Sequence, residues 1–181
     1  MTAADLDRLD EIDGTVESTR YLHVERAGEA MEMTWRLEDR ALREKLIDPN
    51  RMDDERRFAA KQLATGAEEG IALVADHENE VVAAATAVLT PEAGTLRVVD
   101  LRVDYDLRRQ GIGTAMLFQI VSDARERGLR AVAAETVTNN DPANRLLVKC
   151  AFDIGGVDTR RRSNHDLVKE TVTLFWYAAL D

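Results

Sequence analysis

With a single cysteine, Cys150, among 181 residues, the chain can form no internal disulfide, and nothing points to an oxidising compartment. No apolar stretch approaches the roughly 20 residues of a membrane span. Residues 1–13 are acidic and lack the basic-then-apolar order of a signal peptide, so a cytoplasmic location with no membrane partner is expected. Aromatics make up only 5% of the chain, which leaves the core to aliphatic side chains. Lysine is confined to Lys45, Lys61, Lys149 and Lys169, and the other basic residues are arginines. The three histidines, His23, His77 and His165, are scattered without ligand spacing, so no metal is expected. A formal net charge of −10 argues against nucleic acid and favours cationic or neutral partners.

What is present reads as one α/β domain, residues 1–181, without repeats, low-complexity tracts or linkers. Residues 1–14 set five acidic side chains against Arg8, and a short helix or a loose acidic arm, partly ordered at best, is expected there. Met31, Met33, Trp35 and Leu37 alternate with Glu32, Thr34 and Arg36 after a turn at Ala27-Gly28-Glu29. That period of two predicts a hairpin over 19–37, with Met31, Met33 and Trp35 expected in the core and the lining of a substrate pocket as the alternative. Residues 38–52 are charged and read as irregular. A helix follows from Asp53 to Gly66, then strands over 71–75, 81–89 and 95–103. Met116, Leu117, Ile120, Val121 and Ala124 stripe one face of a helix over 114–127 that Gly128 ends. The apolar run 131–134, ending in Glu135, reads as a strand buried on both faces. Asn140-Asp141-Pro142 starts another helix, and strands over 152–157 and 172–177 close the chain around an arginine-rich loop, 158–166.

The chemistry concentrates in Arg108-Arg109-Gln110-Gly111-Ile112-Gly113-Thr114, between the strand 95–103 and the helix that follows. Two glycines permit a tight turn with no Cβ in the way. A helix start presents unpaired N–H groups at the positive end of its dipole, and two arginines add charge beside it. The stretch reads as a pyrophosphate cradle. A P-loop would need Gly-Lys-Ser/Thr where Gly-Thr-Ala stands. A dinucleotide fingerprint would need a third glycine where Met116 stands, although Glu135 lies at a suitable distance for a ribose contact. An ordinary glycine turn before a helix remains an alternative for the stretch taken alone.

The third option, Arg-x-x-Gly-x-Gly, resembles the coenzyme A loop of the GNAT N-acetyltransferase superfamily. Further signals follow in order: Val99-Asp100-Leu101-Arg102-Val103-Asp104 ahead of the loop, then Asn140-Asp141-Pro142-Ala143 and Lys149-Cys150-Ala151-Phe152 behind it. The ending, Gly155-Gly156-Val157-Asp158 with Phe175-Trp176-Tyr177, is similar to that of streptothricin-type acetyltransferases. The resemblance covers residues 71–178 well and the first 70 weakly. It implies a GNAT fold: a mixed, mostly antiparallel sheet of six to seven strands flanked by helices, with a splayed strand pair at the coenzyme site. It also implies acetyl transfer from acetyl-CoA to an amine by direct attack in a ternary complex. Leu101 and Val103 would hold the pantetheine arm, and the Val103 N–H would polarise the thioester. Arg108, Arg109, Gln110, Gly111, Ile112, Gly113 and Thr114 would bind the pyrophosphate, and Asn140 and Ala143 would lie near the arm.

A lysine-like amine, with pKa near 10.4, must lose a proton before it attacks. Glu135 matches the place where relatives keep a catalytic glutamate, and burial would raise its pKa; pairing with an arginine is the competing role. Leu147 departs from the family, which often has a tyrosine there to protonate the leaving thiolate, and Ala151 stands where glycine is usual. The expected acceptor is a small cationic amine. A lysine or N-terminal amine of a protein and a non-catalytic acyl-CoA-binding module are the alternatives. A homodimer contact through Phe175-Trp176-Tyr177 competes with packing inside the monomer.

Overall fold

Apolar strands, continuous in β4 and at the start of β6, build a six-stranded sheet in the computed structural model, which describes residues 1–29 and 31–180 of the chain. Ala30, in the expected hairpin, and Asp181, at the end of the expected domain, lie outside the described residues. The elements are β1 (Val16–Glu29), β2 (Glu32–Asp48), α1 (Asp54–Ala64), β3 (Gly70–His77), β4 (Glu80–Thr90), β5 (Thr95–Val103), α2 (Ile112–Glu126), β6 (Ala131–Val137), α3 (Asp141–Lys149), β7 (Asp153–Asp158), α4 (Asp166–Lys169) and β8 (Thr173–Ala179). The sheet runs β3-β4-β5-β6-β8-β7. Among the described residues β5 and β6 form the one parallel pair, because α2 carries the chain back between them.

Small residues on β4 let both faces of the sheet be covered closely. Ala83, Ala85 and Ala87 join Leu96, Leu117, Ile120, Leu147 and Trp176 in the core beneath α2 and α3. Ala84 and Val81 face the other way, onto Ala60 of α1 and onto Leu9 and Ile12. Those last two residues decide between the expected short helix and loose arm in favour of the helix, with more order than expected. Residues Ala3–Glu11 form a 3-10 helix in which Leu9 is fully buried, and Ile12 just past its end is 5% exposed, so apolar burial orders the acidic segment.

The hairpin is also longer than the sequence suggests. Pairing of β1 with β2 runs from Val16↔Asp48 to Glu29↔Glu32, so residues 38–48 are strand and not irregular. Most of β2 is exposed, and Met31 is 99% and Met33 39% exposed, which overturns their expected place in the core. The base of the hairpin docks on the body: Tyr21 and Val24 are buried, and the Leu22 N–H donates to the Thr138 carbonyl at 3.0 Å. No helix among the described residues is long and apolar enough to cross a membrane.

Candidate active site

Strands β5 and β6 part company early. Their ladder ends at Arg97↔Ala133, whereas β5 stays paired with β4 as far as Val103↔Ala83. The Asp104 N–H donates to the Val82 carbonyl of β4 at 2.8 Å. Alternation along an antiparallel strand then points the backbone groups of Arg102 at β4 and those of Leu101 and Val103 into the gap left by β6. Val99 is the extra residue of a bulge, since Thr86 pairs with Asp100 and Ala87 with Val98. The side chains of Leu101 and Val103 pack on the α2 side. On the opposite face Arg102, with its side chain 1% exposed, donates from Nε to Asp100 at 2.7 Å.

The expected cradle sits at the end of this gap. Gly111 caps α2 at φ +92°, a conformation that costs glycine little. The first helical donor is the Ala115 N–H, to Gly111 at 2.9 Å, so the amides of Ile112, Gly113 and Thr114 have no acceptor within the helix. A Cβ on Gly113 would lie 3.3 Å from Leu146 and 3.6 Å from Val103, so this glycine lets α2, α3 and β5 meet. The two guanidinium groups expected side by side are divided. Arg108 donates from Nε to the Val103 carbonyl at 3.0 Å, from Nη1 to the Thr15 carbonyl and from Nη2 to the Asp13 carbonyl at 3.4 Å. It also lies 5.4 Å over the Tyr105 ring, and burial pushes its pKa below the ordinary arginine value. Arg109 and Gln110 are exposed, and among the described residues the Arg109 side chain makes no hydrogen bond.

Glu135 lies on β6 two residues past its last rung with β5, but it is not buried as expected. Its side chain is 35% exposed and its carboxylate lies 3.4 Å from Arg161, the competing arginine pairing. The two border an open cleft of about 290 Å³ with Thr136, Arg162 and Thr173. The loop that brings the arginines there is pinned by buried Asp166, which accepts from the Arg162 N–H at 3.0 Å and the Ser163 hydroxyl at 2.7 Å. Asn140 caps α3 by accepting from the Ala143 N–H at 3.2 Å. Leu147 is 5% exposed, in the core.

Sequence reasoning missed a buried polar chain that ties α3 to β6. The Trp176 indole donates to Thr136 at 2.7 Å, the Thr136 hydroxyl meets Asn144 Oδ1 at 2.6 Å, and Asn144 Nδ2 donates to the carbonyls of Val137 and Thr138. Its signal was there: Asn144 stands three residues before Leu147 on the apolar stripe of α3.

A sheet that opens between its two parallel strands, with a glycine turn starting the crossover helix, is the GNAT architecture, and solved structures share it over the whole chain. Nourseothricin acetyltransferase superposes with a TM-score of 0.78 at 18% identity, covering 100% of this chain and 96% of that one. A Bacillus anthracis protein in complex with acetyl coenzyme A superposes with a TM-score of 0.77 at 20% identity, covering 100% and 95%. The chain belongs to the acetyltransferase (GNAT) family, whose sequence pattern matches residues 31–152. It is 34% identical to streptothricin acetyltransferase A of Bacillus subtilis (strain 168) over 84 residues, which are 46% of this chain and 48% of that protein. It is 31% identical to a streptothricin acetyltransferase of Escherichia coli over 75 residues, 41% and 43% of the two. The aligned stretches thus span less than half the length of each of these relatives.

Proposed function

We propose that the chain transfers acetyl from acetyl-CoA to the amine of a small acceptor by direct attack in a ternary complex. The observation that carries this reading is the gap between β5 and β6, edged by the backbone of Leu101 and the Val103 N–H, which point away from β4, and ending at the Gly111 turn. The donor's arm completes the ladder that β6 abandons, and its diphosphate meets the amides of Ile112–Thr114 beside exposed Arg109. Asn140 and Ala143 flank the arm. The Val103 N–H steadies the negative charge that develops on the thioester oxygen.

Glu135 takes a proton from the acceptor's ammonium group, directly or through water, once the acceptor has displaced Arg161. The neutral amine then attacks, forming the C–N bond and breaking the C–S bond, and coenzyme A thiolate and the second amine proton leave to solvent. Leu147 cannot protonate the thiolate, but a thiol of pKa near 8.5 is a tolerable leaving group without help. The similarity to streptothricin acetyltransferases and the net charge of −10 support a cationic acceptor. The field of the whole molecule supplies that attraction, because the cleft beside Glu135 carries two arginines against one carboxylate.

The test is thiol release from acetyl-CoA with streptothricin, aminoglycosides, polyamines and an N-terminal peptide as acceptors. Turnover is expected with at least one of the small amines, and Glu135→Gln should lower kcat by about 10²–10⁴. Coenzyme A binding with silence across the whole panel would leave a binding module in place of an enzyme.

A further inference from the structure

We propose that Arg108 is a positioning residue of the acceptor side, tying the segment Asp13–Thr15 to the end of β5 and so building one wall of the acceptor cleft. The proposal rests on the donor site assigned above, and it removes Arg108 from the diphosphate. An arginine three residues before an anion-binding glycine turn would serve the anion by turning its fork outward. Here Nε, Nη1 and Nη2 are all committed to carbonyls, of Val103 on one side and of Thr15 and Asp13 on the other.

The same short segment is gripped from two further directions. The Asp13 N–H donates to Asp104 at 3.0 Å, and Asn50 donates to the Gly14 carbonyl at 3.3 Å while accepting from Arg56 at 2.7 Å. Gly14 is pressed so close that a Cβ would fall 2.8 Å from the Asn50 carbonyl. Held in this way, Asp13–Thr15 walls a cleft of about 420 Å³ that also takes in Arg51, Met52 and Arg102.

That cleft lies on the Asp100–Arg102 face of β5, whereas Leu101 and Val103 face α2. A donor seated at the start of α2 occupies the helix side, so an acceptor has to reach the thioester carbon from the other face. Its amine lies toward Glu135, which alternates away from Val132 and Ala134 of the α2 core, and its remainder toward Asp13–Thr15 across β5. Arg108 bonds at once to Val103, whose N–H meets the donor, and to the wall that the acceptor meets. A lysine could not reproduce this, since an ammonium has no fork to hold three carbonyls.

The experiment compares wild type with Arg108→Ala, Arg108→Lys and Arg109→Ala. It uses calorimetry with coenzyme A at two salt concentrations, steady-state kinetics with streptothricin, and amide exchange. Arg109→Ala should weaken coenzyme A about tenfold and flatten its salt dependence. Arg108→Ala should hold coenzyme A affinity within about twofold, raise the acceptor KM about tenfold or more, and speed exchange at residues 13–18. Arg108→Lys, which keeps the charge, should follow Arg108→Ala in the acceptor KM; recovery of wild-type KM would overturn the fork argument. Equal loss of coenzyme affinity in Arg108→Ala and Arg109→Ala, with exchange at 13–18 unchanged, would overturn the proposal. A wild type that binds no coenzyme A would instead sink the donor site, and the exchange arm would still decide whether Arg108 holds the segment.

Discussion

Ala151 follows α3 with φ +61°, a left-handed conformation that costs a residue with a Cβ about 1–2 kcal/mol relative to glycine. Ala151→Gly should therefore stabilise the fold by about 1 kcal/mol and raise Tm by about 2–4 °C in a thermal scan. The two glycines of the turn divide in the opposite sense. A Cβ at Gly111 meets nothing within 4 Å, so Gly111→Ala should add only backbone strain. Gly113→Val would push into Leu146 and Val103, and it should lower stability as well as coenzyme A affinity. The turn was legible in the sequence because everything that makes it is local: two glycines at fixed spacing and a helix start. The contacts of Arg108 were not, because its partners Asp13 and Thr15 lie more than ninety residues away in the chain. The exposure of Glu135 escaped for a related reason. Four apolar residues before it suggested burial, and only the distant loop that carries Arg161 decides what covers its face.

At the scale of elements, β3, β4, β5, α2 and α3 were readable because each buries one face or both, and burial writes its period into the sequence. Strand β2 beyond residue 37 was not, because a ribbon exposed on both faces needs no apolar alternation and reads as a charged loop. The 3-10 helix could not be told from a loose arm because its packing rests on few side chains, Leu6 and Leu9 with Met1 and Ile12 at its ends, set among five acidic residues. Where α3 meets β6, the polar chain through Asn144 replaces apolar packing. Asn144→Ala would remove one of two partners from Thr136 and from the carbonyls of Val137 and Thr138, which keep Trp176, Asn140 and Leu22, and should cost about 1 kcal/mol by urea titration. The arginine loop has its own anchor in Asp166. Burial works against the charge of that carboxyl, but hydrogen bonds from the Arg162 N–H and Ser163 outweigh it and hold its pKa below the ordinary value. A carboxyl lowered on folding stabilises the native state above about pH 4 and loses that contribution as pH falls through its folded value. Asp166→Asn should therefore lower the urea midpoint at pH 7, and the gap to wild type should narrow at pH 3. A gap that widened in acid would contradict the anchor.

For the molecule as a whole, a single sheet holds two cores apart, one under α2 and α3 and one under the 3-10 helix and α1. Cys150 reports on the first of them. It is 4% exposed, burial pushes its thiol pKa up, and the Thr114 hydroxyl from the start of α2 offsets this only in part. A thiol reagent attacks the thiolate, so native Cys150 should stay silent while the released coenzyme is counted, and labelling should require an opening of the chain. Two openings would expose it. The end of α3 could unwind locally at strained Ala151, or the α2–α3 core could come apart with the whole domain. Coenzyme A separates them, because a ligand held at the start of α2 opposes only those openings that destroy its site. At about 100 times Kd it should slow labelling about a hundredfold if Cys150 is reached through global unfolding. The Gly113–Leu146 contact and the Thr114–Cys150 contact join the anion turn to α3, so the core is expected to open as one unit and the full protection to be seen. A labelling rate indifferent to coenzyme A, with binding verified by calorimetry, would mean that α3 frays by itself and that the turn and the core beneath it are not coupled.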